Sequence, residues 1–193
     1  MEKMIFCGKP MEDLVEDIRK FHGHIAPGLV IGGFMVDWAL ELLGDIPKIG
    51  AIVETCRCLP DAIQVFTPCT YGNGRMKILD WDKFAFSLYD KKDLKGFRVW
   101  LDLEKARAFP NIYNWYMRLV PKKDLPLEIL LKTIMEAQRL ILSSCRVHVI
   151  AFYDEKKRGL TRVCPSCGEA YLAEHGNSCL SCQGKGYYTL TNI

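Results

Sequence analysis

The sequence predicts an α+β protein, a mostly antiparallel sheet packed with helices, followed by a small C-terminal metal-binding domain. Three observations carry this. Apolar residues recur at helical spacing over residues 11–21, 27–43 and 127–142, the period of helices that bury one face. Three short, partly alternating runs at 76–79, 83–89 and 97–103 are separated by polar turns, which favours antiparallel pairing. Beyond a charged hinge at Asp154–Gly159 the apolar periodicity gives way to a Cys- and Gly-rich segment with two Cys-x-x-Cys pairs. The expected domains are therefore a core, 1–155, and a finger, 156–193.

Taken in order, Met11–Phe21 sets Leu14, Val15, Ile18 and Phe21 on one helical face. The corner His22-Gly23-His24 follows, with Gly23 leaving room for a tight backbone path. Pro27 suits the first position of a second helix, and Gly44 suits its C-terminal cap. Gly28, Gly32 and Gly33 lower helix propensity, so close packing against another backbone is expected there, with Asp37 and Glu41 on the wetter side. Ile49–Thr55 reads as a buried strand, and Pro60–Gln64 as the opening of a helix. Cys69–Gly74 is a turn-rich loop without the Gly-Lys-Ser/Thr of a Walker phosphate loop. Residues 104–121 have no clean assignment, and their aromatics Phe109, Tyr113, Trp115 and Tyr116 read as a dimer or domain contact. Leu127–Leu142 is a helix and Cys145–Tyr153 a strand. The chain has no internal repeat.

Composition bounds the function. Of 193 residues 49% are hydrophobic, enough for a packed core, and the formal charge of +3 is too small to argue for nucleic acid. Residues 156–193 hold five basic and two acidic side chains, thin support for nucleic-acid binding. No apolar stretch reaches the length of a membrane span, and the start lacks the pattern of a secretory signal. A cytoplasmic location and no membrane partner are therefore expected. Nine cysteines, an odd number, point in a reducing compartment to metal binding or catalysis ahead of disulfides.

The strongest motif is the pair Cys164-Pro165-Ser166-Cys167 and Cys179-Leu180-Ser181-Cys182, eleven residues apart. This spacing suits one structural zinc held by Cys164, Cys167, Cys179 and Cys182. An iron–sulfur cluster, a redox dithiol pair and free buried cysteines are the other readings. Gly168 and Gly184 suit tight turns around sulfur, metal would supply the folding energy of so small a segment, and His175 reads as a surface residue. At the corner, His22 and His24 can converge on a metal if thiolates or carboxylates arrive from elsewhere; the bland reading is two hydrogen-bonding histidines at a helix junction. Cys58 and Cys69 fall at element boundaries. A helix N-terminus would favour a thiolate at Cys58, against simple packing of small buried cysteines. Asp61 either caps its helix or orients a ligating histidine, and Thr70 either caps the loop or binds a ligand. Glu54 is a candidate acid/base or a surface salt bridge. Cys56 reads as core, and Cys7 and Cys145 as structural.

Phe21-His22-Gly23-His24 with Pro27-Gly28, then Cys58-Leu59-Pro60-Asp61-Ala62-Ile63-Gln64, then Cys69-Thr70-Tyr71-Gly72-Asn73-Gly74, resemble in this order the FmdE family of formylmethanofuran dehydrogenase. Cys164-Pro165-Ser166-Cys167-Gly168-Glu169 resembles the C-terminal zinc finger that many members carry. The resemblance spans most of the chain. It implies an α+β core, a treble-clef zinc finger, frequent homodimers and association with molybdenum- or tungsten-dependent formylmethanofuran dehydrogenase. The family's His-Gly-His-x-Cys-Pro-Gly has Ala26 at its cysteine here, and Pro68 and Asn73 replace a Gly and a Lys of its loop. His22, His24, Cys58 and Cys69 would still make a two-nitrogen, two-sulfur set for a second divalent metal, with Asp61 and Thr70 behind it. The expected function is a cytoplasmic metal-binding protein, an accessory or redox-linked factor in one-carbon metabolism, with formylmethanofuran dehydrogenase or a related redox complex as partner. The alternative is a zinc-finger regulator or adaptor that binds protein or nucleic acid, its core a sensing or dimerisation module. Whether the chain has an activity of its own the sequence leaves open.

Overall fold

Gly23 and Pro27 set the first corner of the chain. In the computed structural model, which describes residues 5–6, 9–150 and 159–188, a short hairpin, β1 (Ile5–Phe6) with β2 (Lys9–Pro10), leads into α1 (Met11–His22). α1 stops at Gly23, whose φ of 85° turns the chain while its N–H bonds to the Arg19 carbonyl. α2 (Pro27–Leu43) starts with proline at its first helical position and ends at Gly44. It is apolar nearly all round and buried from Gly28 to Val36, as a helix central to a core must be. The close packing expected of its glycines is found at Gly32: a β-carbon there would lie 2.7 Å from Ala62 Cβ and 3.1 Å from Leu59 Cδ2. Both contacts belong to α3 (Leu59–Phe66). On the wetter side Arg139 donates to Asp37 and Glu41.

α2 packs against a five-stranded sheet. In chain order its strands are β3 (Ile49–Val53), β4 (Met76–Ile78), β5 (Ala85–Asp90), β6 (Lys95–Leu101) and β7 (Leu142–His148), and in space they run β4-β3-β5-β6-β7. Three of the four pairings are antiparallel, with registers such as Ala51↔Leu88, Leu88↔Phe97 and Arg98↔Cys145. β4 differs from expectation. It pairs with β3 in parallel, Ala51↔Met76 and Val53↔Ile78, and not with its successor β5. α3 is the reason: it lies between β3 and β4 and carries the chain back across the sheet, as a parallel pair requires.

Two further segments depart from the sequence reading. Residues 104–121 form α4 (Leu103–Ala106) and α5 (Pro110–Tyr116). Asp102 caps α4 by accepting from Glu104 N and Lys105 N, and proline opens α5. Phe109, Tyr113, Trp115 and Tyr116 pack, partly buried, against the core. The helix expected to Leu142 ends earlier, as α6 (Leu127–Ala137), because Gln138 adopts φ 45° and ψ −121°; a 3-10 turn, Gln138–Ile141, then leads into β7. Cys145 is exposed on that strand rather than structural, and Cys56, expected in the core, is exposed as well.

The chain separates into two compact units, Met1–Phe152 and Tyr153–Ile193. The hinge expected at Asp154–Gly159 lies outside the described residues except for Gly159, and Cys7 lies outside them too. The second unit has its own frame. β8 (Thr161–Val163) and β9 (Ala170–Leu172) form an antiparallel hairpin whose turn carries Cys164 and Cys167. Cys179 and Cys182 follow at the start of a short helical turn, Ser181–Lys185. Gly168 and Gly184, with φ of 76° and 87°, occupy the left-handed region that these turns need. Cys164, Tyr171 and Cys179 are its only buried cluster among the described residues.

Candidate functional site

The four finger cysteines converge. Their sulfurs all lie within 4.8 Å of one another, and Cys167 Sγ is 3.8 Å from Cys179 Sγ. A tetrahedron with zinc–sulfur bonds of about 2.3 Å has edges of about 3.8 Å, so the residues fit the metal. Backbone amides already face the sulfurs: Cys179 N–H donates to Cys164 Sγ at 3.4 Å, and Cys182 N–H to Cys179 Sγ at 3.5 Å. The Cys179 amide is the main reason the Cys164 thiol falls to about 6. Crowding by the other sulfurs, Cys179 first, pushes Cys182 up to about 12, a conflict between neighbouring thiolates that a dication relieves. His175 is not in the cluster.

In the first unit the corner between α1 and α2 meets the start of α3. His22 Nδ1 lies 2.7 Å from an Asp61 carboxylate oxygen. The His24 ring is 4.7 Å from that of His22, centroid to centroid. Asp61 thus spends its carboxylate on His22 rather than on capping its helix, whose cap, Cys58, makes no side-chain cap bond. Asp61 accepts only, so Nδ1 of His22 carries the proton and Nε2 is left with its lone pair.

Cys58 sits on an unusual turn. Its φ of 52° and ψ of −51° are those of a γ-turn of the rare, strained hand, and the matching bond is present: Leu59 N–H donates to the Arg57 carbonyl at 2.5 Å. Gly28 of α2 makes room for it, since a β-carbon there would lie 2.9 Å from Cys58 Sγ. Burial, then Asp61, pushes the thiol upward against a weaker pull from Arg57. The thiolate expected from the helix dipole is therefore not favoured in this chain without a ligand.

Cys69 belongs elsewhere. It is fully buried, its S–H donates to the Ile49 carbonyl at 3.4 Å, and its N–H donates to Thr67 Oγ1. Burial raises this thiol too. Thr70 works within its loop: its Oγ1 accepts from Asn73 N–H, Asn73 Oδ1 accepts from Thr70 and Arg75 N–H, and Asn73 Nδ2 donates to Pro68 O. Among the described residues the finger cysteines are the one group of three or more ligand atoms mutually within 4.8 Å. The structure thus brings His22, His24 and Asp61 together and does not gather His22, His24, Cys58 and Cys69 around one point. Glu54 is a buried ion pair, bidentate with Arg98 at 2.6 and 2.7 Å, and not a surface salt bridge.

Cys58 opens instead onto a cleft of about 970 Å³, walled by Gly28, Thr55, Phe84, Trp115, Tyr116 and Leu125 and rimmed by Arg57, Asp82, Arg118 and Lys122. Sequence reading missed the rim. Its members come from three separate loops with no motif spacing, and only folding shows that they meet. Of five described non-glycine residues with positive φ, three line this cleft: Cys58, Asp82 and Arg118.

Comparison with known proteins places these features in context. Residues 21–166 match the family model described as "FmdE, Molybdenum formylmethanofuran dehydrogenase operon", and residues 155–189 match the "FmdE treble clef zinc finger". A solved structure of an FmdE-like protein of tungsten formylmethanofuran dehydrogenase, from Syntrophus aciditrophicus, is 44% identical, with a TM-score of 0.87, and the match covers 98% of this chain and 100% of that one. A curated relative from Archaeoglobus fulgidus, named as a probable S-adenosyl-L-methionine-binding protein, is 39% identical over 99 residues. That match covers 47% of this chain and 27% of the relative, so the chain spans about a quarter of the relative's length.

Proposed function

From the premise that this chain belongs to the FmdE family, we propose that it is a cytoplasmic, homodimeric accessory factor of one-carbon metabolism serving formylmethanofuran dehydrogenase or a related redox complex. Its finger carries a structural zinc on Cys164, Cys167, Cys179 and Cys182. Its core holds a second, exchangeable divalent metal at the histidine corner. The observation that carries the second site is the Asp61–His22 bond beside His24. A carboxylate on Nδ1 aims Nε2 and raises its basicity, the arrangement that supports a ligating histidine. Two imidazoles alone bind loosely, so water or a small ligand completes the coordination. Ala26, where the family has cysteine, caps the start of α2 and removes a thiol from this neighbourhood. The name of the Archaeoglobus relative is not carried over, because it describes a protein of which this chain spans 27%.

Metal analysis of the full chain after zinc or cobalt loading tests the reading. More than one metal per chain is expected, falling to one in the double variant His22→Ala, His24→Ala. Asp61→Asn should weaken the second metal by about tenfold without touching the finger's. Ala26→Cys should tighten it. A wild-type chain that takes up one metal and no more would rule the second site out.

A further inference from the structure

The cleft above Cys58 has two chemically distinct walls. One is aromatic: Phe84 and Tyr116 meet edge to face at 5.9 Å, and Trp115 meets Tyr116 at 6.1 Å. Leu119, Val120 and Leu125 extend it as apolar surface. The other is cationic, with Arg57, Arg118 and Lys122 against a single acid, Asp82. The Arg57–Asp82 pair is long, 3.9 Å, between side chains 61% and 79% exposed, so Asp82 cancels little of that charge. An apolar wall beside a few convergent charges, in about 970 Å³, is the make-up of a small-molecule site. The backbone agrees. Cys58, Asp82 and Arg118 hold φ values of 52°, 55° and 56°, conformations that cost energy in a non-glycine residue and gather at ligand sites.

We propose that this cleft binds an anionic ligand with a flat, largely apolar body. The body lies against Phe84, Trp115 and Tyr116. Its carboxylate or phosphate sits among Arg57, Arg118 and Lys122, and its inner edge covers Cys58 Sγ. A neutral ligand would leave three cations unpaired, and a compact inorganic anion would leave the aromatic wall wet. The site goes beyond the metal at the histidine corner and needs neither His22 nor His24.

The test uses the full chain as purified, with 2-naphthoate as probe and 2-naphthamide as its uncharged counterpart, by titration calorimetry. Naphthoate is expected to bind once per chain and the amide at least about tenfold more weakly, the worth of a charge-assisted contact. The double variant Arg118→Asn, Lys122→Gln should weaken naphthoate by about tenfold or more and leave the amide unchanged. Asparagine is chosen because it tolerates the positive φ of Arg118. Bound naphthoate should also slow iodoacetamide labelling of Cys58 but not of exposed Cys56, which trypsin separates by cutting after Arg57. If the double variant does not fold, the wild-type salt dependence decides, since naphthoate affinity must fall with ionic strength and amide affinity must not. Equal affinity for the two probes, no naphthoate binding at millimolar concentration, or equal labelling of Cys56 and Cys58 under naphthoate would overturn the proposal. Metal content is read separately, so either site can fail while the other stands.

Discussion

At Cys58 the backbone is held in a γ-turn that only glycine adopts without strain, and the thiol is seated where Gly28 has no side chain. Cys58→Gly should therefore be more stable than Cys58→Ala, by about 1 kcal/mol, because glycine relieves the turn whereas alanine loses the thiol and keeps the strain. Urea denaturation of the two variants measures the gap, and equal midpoints would mean that the turn stores nothing. Gly28→Ala should cost about 1–3 kcal/mol and raise the labelling rate of Cys58, since the methyl group would displace its sulfur. Both residues were visible in the sequence as a helix glycine and a cysteine before a helix. Their contact was not, because 30 residues separate them and no periodicity links them. Cys69 shows the converse. Its sequence setting is as suggestive as that of Cys58, yet its sulfur faces the Ile49 carbonyl inside the core.

Single elements divide in the same way. The ends of α1 and α2 could be read directly, since Gly23, Pro27 and Gly44 act through local backbone preference. The end of α6 could not. Its apolar spacing continues through Ile141 and Leu142, and the turn at Gln138 goes against residue preference. The place of β4 was equally hidden, because pairing with β3 is decided by where α3 packs. Glu54, just beyond β3, is 5% exposed and depends on Arg98 of β6. Arg98→Ala should cost about 3 kcal/mol in urea denaturation, since it strands a buried carboxylate, and the double variant Glu54→Gln, Arg98→Met should recover much of that. Asp102, the cap of α4, is held below its ordinary 3.8, first by the Ser143 hydroxyl and then by the Lys105 and Glu104 amides. A carboxyl lowered in the folded chain adds stability above its unfolded value and loses it as pH falls through the folded one. The stability gap between wild type and Asp102→Asn should therefore be level near neutrality and close as pH drops below 3.8.

For the whole molecule, two units with different sources of stability should come apart under different treatments. The first rests on a continuous apolar core built around α2, the second on three buried residues and four convergent sulfurs. Chelation, or Cys164→Ser, should unfold the second unit while the helical circular dichroism of the first persists. Loss of both signals together would show that the core depends on the finger. Two Cys-x-x-Cys pairs made the finger legible because metal ligation fixes spacing. The cleft was illegible because its rim is assembled by topology alone. That topology also sets an order of events. The β5–β6 hairpin closes over a short turn, whereas β3 and β4 join residues as far apart as Ala51 and Met76 and must wait for α3 to dock. The tight turn at Cys58 lies inside that late loop, so it is among the last things the folding chain makes and among the first it gives up. Amide hydrogens of α3 should exchange with solvent well before those of β5 and β6. A newly made or transiently loosened chain would then carry Cys58 as an ordinary cysteine, and the strained thiol would exist only once the last piece has locked.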